Sequence, residues 1–278
     1  MEPDGPRQVF LLLSTIVLMF GIGTGLKASD FTRLLSVPRA ATVGLLGQLV
    51  LLPLLGLLLS WAFSLPPLMS AGVILLCACP GGLASNMLSL LARADVALSV
   101  TLTTASTLLA ALTLPAWLLL TGADLAASPL ASAARITGLT LAPTLAGMAL
   151  AWRAPGLAAR AQRPFRVLIA VLVGLTLLGA LASSRQTLLS DAGQLLPVLA
   201  LLNLSATAAA ALVARAVGLS RPQVLTIALE VGLQNAPLAL TLALATGEAA
   251  VALPAVLYGM LMMTVGVVLM AAGRRLSA

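Results

Sequence analysis

The chain has 278 residues, 60% hydrophobic and 8% charged, and its mean hydropathy of +1.12 excludes an ordinary soluble globular protein. Its formal net charge is +7, but the 15 basic residues are scattered between apolar runs without interleaved aromatics, so no nucleic-acid partner is expected. Aromatics make up only 3%, and the short alternating segments and aromatic girdles of an outer-membrane barrel are missing, which leaves an all-α polytopic membrane protein rich in small residues.

The chain opens on the acidic stretch MEPDGPRQ. The apolar run behind it passes into a polar loop with no small-residue cleavage pattern, so no cleavable signal is expected. A helix needs about 20 apolar residues to cross the hydrocarbon core of a bilayer. Taken between polar breaks, the sequence predicts nine such runs, at 8–26, 40–62, 68–92, 96–120, 135–152, 167–184, 194–214, 223–246 and 251–273. With the N-terminus outside, the cytoplasmic loops hold twelve basic residues: Lys27, Arg33, Arg39, Arg93, Arg153, Arg160, Arg163, Arg166, Arg215, Arg221, Arg274 and Arg275. Only Arg7, Arg135 and Arg185 fall outside, so the positive-inside tendency predicts N-out and C-in. The Ala- and Arg-rich composition points to a bacterium and hence to its inner membrane. Cys77 and Cys79, two apart and without histidine nearby, form no zinc pattern and read as small core residues.

Two of the nine runs are interrupted. The third contains Cys79-Pro80-Gly81-Gly82-Leu83-Ala84-Ser85-Asn86, and the eighth contains Glu230-Val231-Gly232-Leu233-Gln234-Asn235-Ala236-Pro237. Proline removes a backbone donor and glycines loosen a helix, so unpaired backbone groups arise at mid-membrane, where they are tolerated only against protein or a wet cavity. The predicted topology threads these two spans in opposite directions, each followed by an intact span. That pattern predicts an inverted repeat with paired discontinuous helices, the arrangement that marks a transporter's substrate site.

Glu230 carries the chemistry. An acid at the centre of a membrane helix costs on the order of 3 kcal/mol, and no Lys, Arg or His lies mid-span to offset it. Its partner must come from outside the chain, as a proton or a metal ion. Ser85 and Asn86 lie at the first break, Ser99 and Thr103 share a helical face of the next span, Gln234 shares a face with Glu230, and Gln48 sits near mid-depth of the second span. All offer hard oxygens, and one carboxylate among neutral oxygens suits sodium better than a divalent ion. Half-helices starting near Ser85 and Ala236 would aim their partly positive amino ends at the centre, which suits an organic anion. Asn203, Ser205, Thr207, Thr104, Ser106 and Thr107 read as structural polar residues within spans.

At MFGIGTGLKASDF (19–31), ACPGGLASNMLSLLARADVALSVTLTTASTLLA (78–110) and ALEVGLQNAPLAL (228–240), the chain resembles the bile acid:sodium symporter family, and the likeness covers nearly its whole length. Bacterial members commonly have ten helices, so this chain reads as beginning one span later, four plus five instead of five plus five. The resemblance implies a core domain holding crossed broken helices (spans 40–120 and 194–273) and a panel domain (8–26 and 135–184), within repeats of about 8–120 and 135–273. It implies two sodium sites, the first formed by Ser85, Asn86, Ser99, Thr103 and Glu230. The second is formed by Gln48, Glu230, Gln234 and the backbone carbonyls of Val231 and Leu233. Asn235 would face substrate. Leu83 stands where members often have Thr, and Ala236-Pro237 where they have Ser-Gly, so the substrate side is altered and small acids such as pantoate or keto acids have equal standing with bile acids.

The sequence thus predicts a sodium-coupled secondary transporter of an organic anion, working by alternating access in a lipid bilayer. A proton-coupled carrier or exporter of the same architecture is the alternative. An intramembrane enzyme is disfavoured, because the chain has no His and no nucleophile-base pair.

Overall fold

A computed structural model describes residues 5–26, 28–121, 129–183, 185–246 and 248–276. Lys27 and Ser184, the one a topology signal and the other the end of the sixth run, lie outside them. So do the side chains of Arg7, Arg135, Arg163, Arg166, Arg185, Arg274 and Arg275. Every regular element among the described residues is helical.

The order begins with α1 (Gly5–Gly23), α2 (Ala28–Ser36), α3 (Pro38–Leu46), a π-helical turn (Gly47–Leu51) and α4 (Leu52–Ala62). Next come α5 (Pro67–Ala78), α6 (Leu83–Leu91), α7 (Val96–Leu120), α8 (Pro129–Arg153) and α9 (Pro155–Ser183). The chain ends with α10 (Arg185–Ala216), α11 (Arg221–Gly232), α12 (Ala236–Leu244) and α13 (Ala249–Leu276). Four stretches are long and apolar enough to cross a membrane: Pro38–Ala62, Val96–Leu120, Asp191–Ala216 and Ala249–Ala271. Val9–Gly23 and Pro67–Ala78 are shorter apolar helices. Large apolar side chains such as Leu58, Trp61, Leu112, Leu120, Met260 and Val268 are exposed, as a lipid-facing surface requires.

One expectation needs correction. Residues 28–36 are not loop but the amphipathic helix α2, with Asp30 in its first turn and Arg33 in its last, each placed to suit the helix dipole. Its length, nine residues, is too short for the window in which membrane spans announce themselves.

Two of the prolines within helical stretches are answered by neighbouring helices. Pro53 has no N–H to give to the carbonyl four residues back, and that carbonyl, Leu49 O, accepts instead from the Trp117 indole of α7 at 2.9 Å. The backbone widens into the π turn at the same place. Pro115 likewise frees Ala111 O, which accepts from Thr137 Oγ1 of α8 at 2.8 Å. In lipid each such carbonyl would otherwise be unpaired at a cost of several kcal/mol.

Helices α1, α8 and α9 pack on one another, while α3 to α7 and α10 to α13 surround the two breaks, with α7 in contact with both groups. The α1–α8 seam is backbone to backbone. A Cβ on Gly23 would overlap the Thr144 carbonyl, and one on Gly147 would overlap that of Phe20. Gly147→Val should force the two helices apart and destabilise the protein by about 1–3 kcal/mol. The check is the apparent melting temperature of the purified variant, and an unchanged value would contradict so close a seam.

Candidate functional site

Helix α5 stops at Ala78 because Pro80 supplies no amide, and Cys79 is already extended. Helix α11 stops at Gly232, with Leu233 extended at φ −114, ψ 103. The two interruptions cross. Gly81 and Gln234 form an antiparallel bridge, and Asn235 N donates to Pro80 O at 3.0 Å, so each break satisfies part of the other's backbone. The crossing has no space for side chains. A Cβ on Gly82 would sit 3.2 Å from Gln234 O, and one on Gly81 would run into the Glu230 carboxylate. That is the physical reason for two glycines after Pro80.

Glu230, in the last turn of α11, is fully buried. Its Oε2 accepts from Ser99 Oγ at 2.9 Å, and its Oε1 accepts from Thr103 Oγ1. Both hydroxyls also face Asn86 Oδ1, at 2.8 Å from Ser99 and 3.2 Å from Thr103. Each hydroxyl carries one proton but lies within bonding reach of two acceptors. With the Asn86 oxygen turned toward them the four contacts share two protons, and with the amide turned over its Nδ2 supplies the other two. The oxygen-inward orientation is the one that suits a cation. Ser85, fully buried one residue before Asn86, bonds to Gly82 O at 2.7 Å and also lies against the Glu230 carboxylate.

The donor set is one carboxylate with hydroxyl and amide oxygens, which fits an alkali cation. Among the described residues there is no group of three or more His, Cys, Asp or Glu that would hold a transition metal. Both cysteines are free and buried in the core.

The second group of residues is closed on itself. Gln48 lies in the π turn and is buried; its Nε2 donates to Gln234 Oε1 at 2.7 Å and to Cys79 O at 3.1 Å. Gln234 Nε2 donates to Val231 O at 2.9 Å and to Gln48 Oε1 at 3.4 Å. Here protons are sufficient, and Val231 O is occupied by an amide of the chain itself. Gln48, Val231, Leu233 and Gln234 thus surround the α11 break, but as a paired amide lock.

The substrate-side residues fall in different surroundings. Leu83, in the first turn of α6, is 57% exposed. Asn235 and Ala236 are buried and Pro237 is half-buried. The α12 amino end does not present the free amides expected of it. Ala236 N donates to Gln234 O at 2.9 Å, Pro237 has no N–H, and Leu238 N donates to the Asn235 side chain at 3.1 Å. The Ala239 amide turns back to Asn235 O at 3.0 Å. Asn235 is therefore the N-cap of α12.

Asn203 acts structurally, and together with Tyr258, which no sequence motif singles out, it holds the second break. Asn203 Nδ2 donates to Gly232 O at 2.7 Å and to Tyr258 Oη at 2.8 Å, and the Tyr258 hydroxyl donates to the same carbonyl at 3.1 Å. The one sequence signal for it is that Tyr258 is the single tyrosine of a chain with 3% aromatics. Ser106 and Thr107 do act structurally: Ser106 Oγ accepts from Gly81 N at 3.4 Å, and Thr107 bonds back to Thr103 O.

The family model described as "Sodium Bile acid symporter family" matches residues 11–192. An uncharacterized sodium-dependent transporter of Bacillus subtilis, YocS, is 31% identical over 243 residues, covering 87% of this chain and 76% of that protein. A probable chloroplastic sodium/metabolite cotransporter of Oryza sativa, BASS1, is 36% identical over 230 residues, 81% of this chain and 56% of its own length. The human ileal sodium/bile acid cotransporter is 38% identical over 116 residues, 40% of this chain and 33% of that protein. The chain thus spans a little over half of the plant relative and a third of the human one.

Asn203→Leu should remove one donor from Gly232 O and destabilise the protein by about 1–3 kcal/mol, while Tyr258→Phe, which leaves the amide donor in place, should cost less. Melting temperatures of the two purified variants give the order, and the reverse order would contradict the assignment of Asn203 as the main support.

Proposed function

This chain belongs to the sodium bile acid symporter family, whose relatives are sodium-coupled cotransporters and not enzymes, and from that premise we propose that it is a symporter carrying a small organic anion with sodium by alternating access. One observation carries the reading: a buried carboxylate without a basic partner, among neutral hydroxyl and amide groups, at the crossing of two broken helices. Sodium occupies the group formed by Glu230, Ser85, Asn86, Ser99 and Thr103. The sodium-dependent relatives favour sodium over the proton-coupled alternative.

A second sodium binds beside Gln48, Gln234 and the Val231 and Leu233 carbonyls once the two amides turn their oxygens inward. The anion docks at the first turn of α6 beside Leu83, with Asn235, Ala236 and Pro237 across the crossing. With one monoanion and two sodium ions, each cycle moves one net positive charge, favoured by about 2.3 kcal/mol per 100 mV.

The molecule is read as nine spans, N-out and C-in, in a bacterial inner membrane. Its inverted repeats are residues 8–120 and 135–273. The mutual packing of α1, α8 and α9 supports a panel of spans 8–26 and 135–184, moving against a core of 40–120 and 194–273 that holds the ions. The exposed apolar Leu83 favours a small carboxylate with an apolar face, such as pantoate or a keto acid.

Glu230→Gln should insert and fold yet abolish sodium-dependent uptake into vesicles, measured with an inward sodium gradient and no pH gradient. Wild-type uptake driven by a pH gradient without sodium would sink sodium coupling. Ser99→Ala should raise the sodium concentration needed for half-maximal thermal stabilisation roughly tenfold, as loss of a charged-group contact implies. An unchanged requirement would remove Ser99 from the site. Leu83→Glu should suppress anion uptake while sodium still raises the melting temperature, and full uptake by that variant would move the anion away from α6.

A further inference from the structure

At the end of the molecule where α6 and α10 finish and α11 begins, a cavity of about 560 Å³ is walled by α6, α10, α11 and α13. Arg93, Arg215 and Arg221 line it, and Leu219, Val224 and Leu225 supply apolar surface between them. None of the three arginines is ion-paired with a carboxylate among the described residues. The α1, α8 and α9 group contributes nothing to its walls, so the cavity lies apart from the seam between the two groups of helices and from the Glu230 crossing.

Arg93 occupies an unusual position. It follows the end of α6 with a φ of 55°, the left-handed conformation that a helix end ordinarily assigns to glycine and that strains a residue with a side chain. The chain therefore holds a guanidinium at the cavity mouth against a local conformational preference.

The surface beyond the cavity is apolar. On α10, Leu201, Leu204 and Leu212 are exposed at helical spacing, and the same stripe continues to Arg215. A soluble anion has use for the arginines but none for the stripe, whereas a lipid uses both: headgroup phosphate among the guanidiniums, acyl chain along the leucines. Three positive charges without a lining carboxylate also leave nothing to pair with the ammonium of a zwitterionic headgroup. We propose that this cavity binds the headgroup of an acidic phospholipid from the surrounding bilayer.

The test uses the purified full chain in detergent, titrated separately with phosphatidylglycerol, phosphatidylcholine and inorganic phosphate, with bound lipid read by native mass spectrometry and stability by apparent melting temperature. Phosphatidylglycerol should bind and raise the melting temperature; the other two, at equal concentration, should not. Each of Arg93→Gln, Arg215→Gln and Arg221→Gln should weaken phosphatidylglycerol binding about fivefold, and the triple variant about a hundredfold, while Arg153→Gln and Arg160→Gln on the α8–α9 side leave it unchanged. The single variants decide the matter should the triple variant misfold. Equal binding of phosphatidylcholine, undiminished binding by the single variants, or an equal loss in the controls would overturn the proposal. Stabilisation by inorganic phosphate alone would assign the arginines to a soluble anion and overturn the lipid.

Discussion

A carboxylate buried without a positively charged neighbour is the constraint that organises this molecule. Moving Glu230 out of water is expensive, and the chain offers hydroxyl and amide oxygens where a soluble protein would supply an arginine. Arginine would settle the charge permanently. Neutral oxygens hold the acid in place and keep its compensation exchangeable, as a carrier of cations requires.

The remaining architecture serves to bring those oxygens together from distant segments. Glu230 ends α11, Asn86 lies in α6, and Ser99 and Thr103 lie on α7, so the cluster forms only if α6 and α11 meet at their broken ends. Pro80 stops one helix, Gly81 and Gly82 let the second pass at contact distance, and Asn203 with Tyr258 anchors the carbonyl that Gly232 leaves unpaired. Each of these residues satisfies a backbone group that lipid would leave exposed, so in this region the requirements of folding and of ion handling coincide.

Much of this was legible in the sequence because the signals are local. Pro-Gly-Gly inside an apolar run, an acid with no basic residue at its depth, and Ser99 and Thr103 at helical spacing each identify themselves within a dozen residues. What escaped depends on partners far along the chain. The π turn at Gln48 pairs Pro53 with Trp117 through a carbonyl, and a window around Gln48 contains no trace of Trp117. The direction of the Asn235 side chain was equally hidden. The same residue type suits a cap or a ligand, and only the path of α12 decides that its oxygen turns back to Leu238 N. Helix α2 was missed because nine mixed residues carry too little apolar signal.

The bond from Thr137 to Ala111 O gives α7 a second office. Thr103 lies eight residues from Ala111 on that helix, about 12 Å along its axis, and the Trp117 indole fixes the far end to the carbonyl above Pro53. Helix α7 is thus held by its neighbours on both sides of the Pro115 break, by α8 at Ala111 and by the π turn at Trp117. Any tilt of α8 relative to its neighbours is therefore felt by α7 at the carbonyl that Pro115 frees, about two turns from the hydroxyl that meets Glu230.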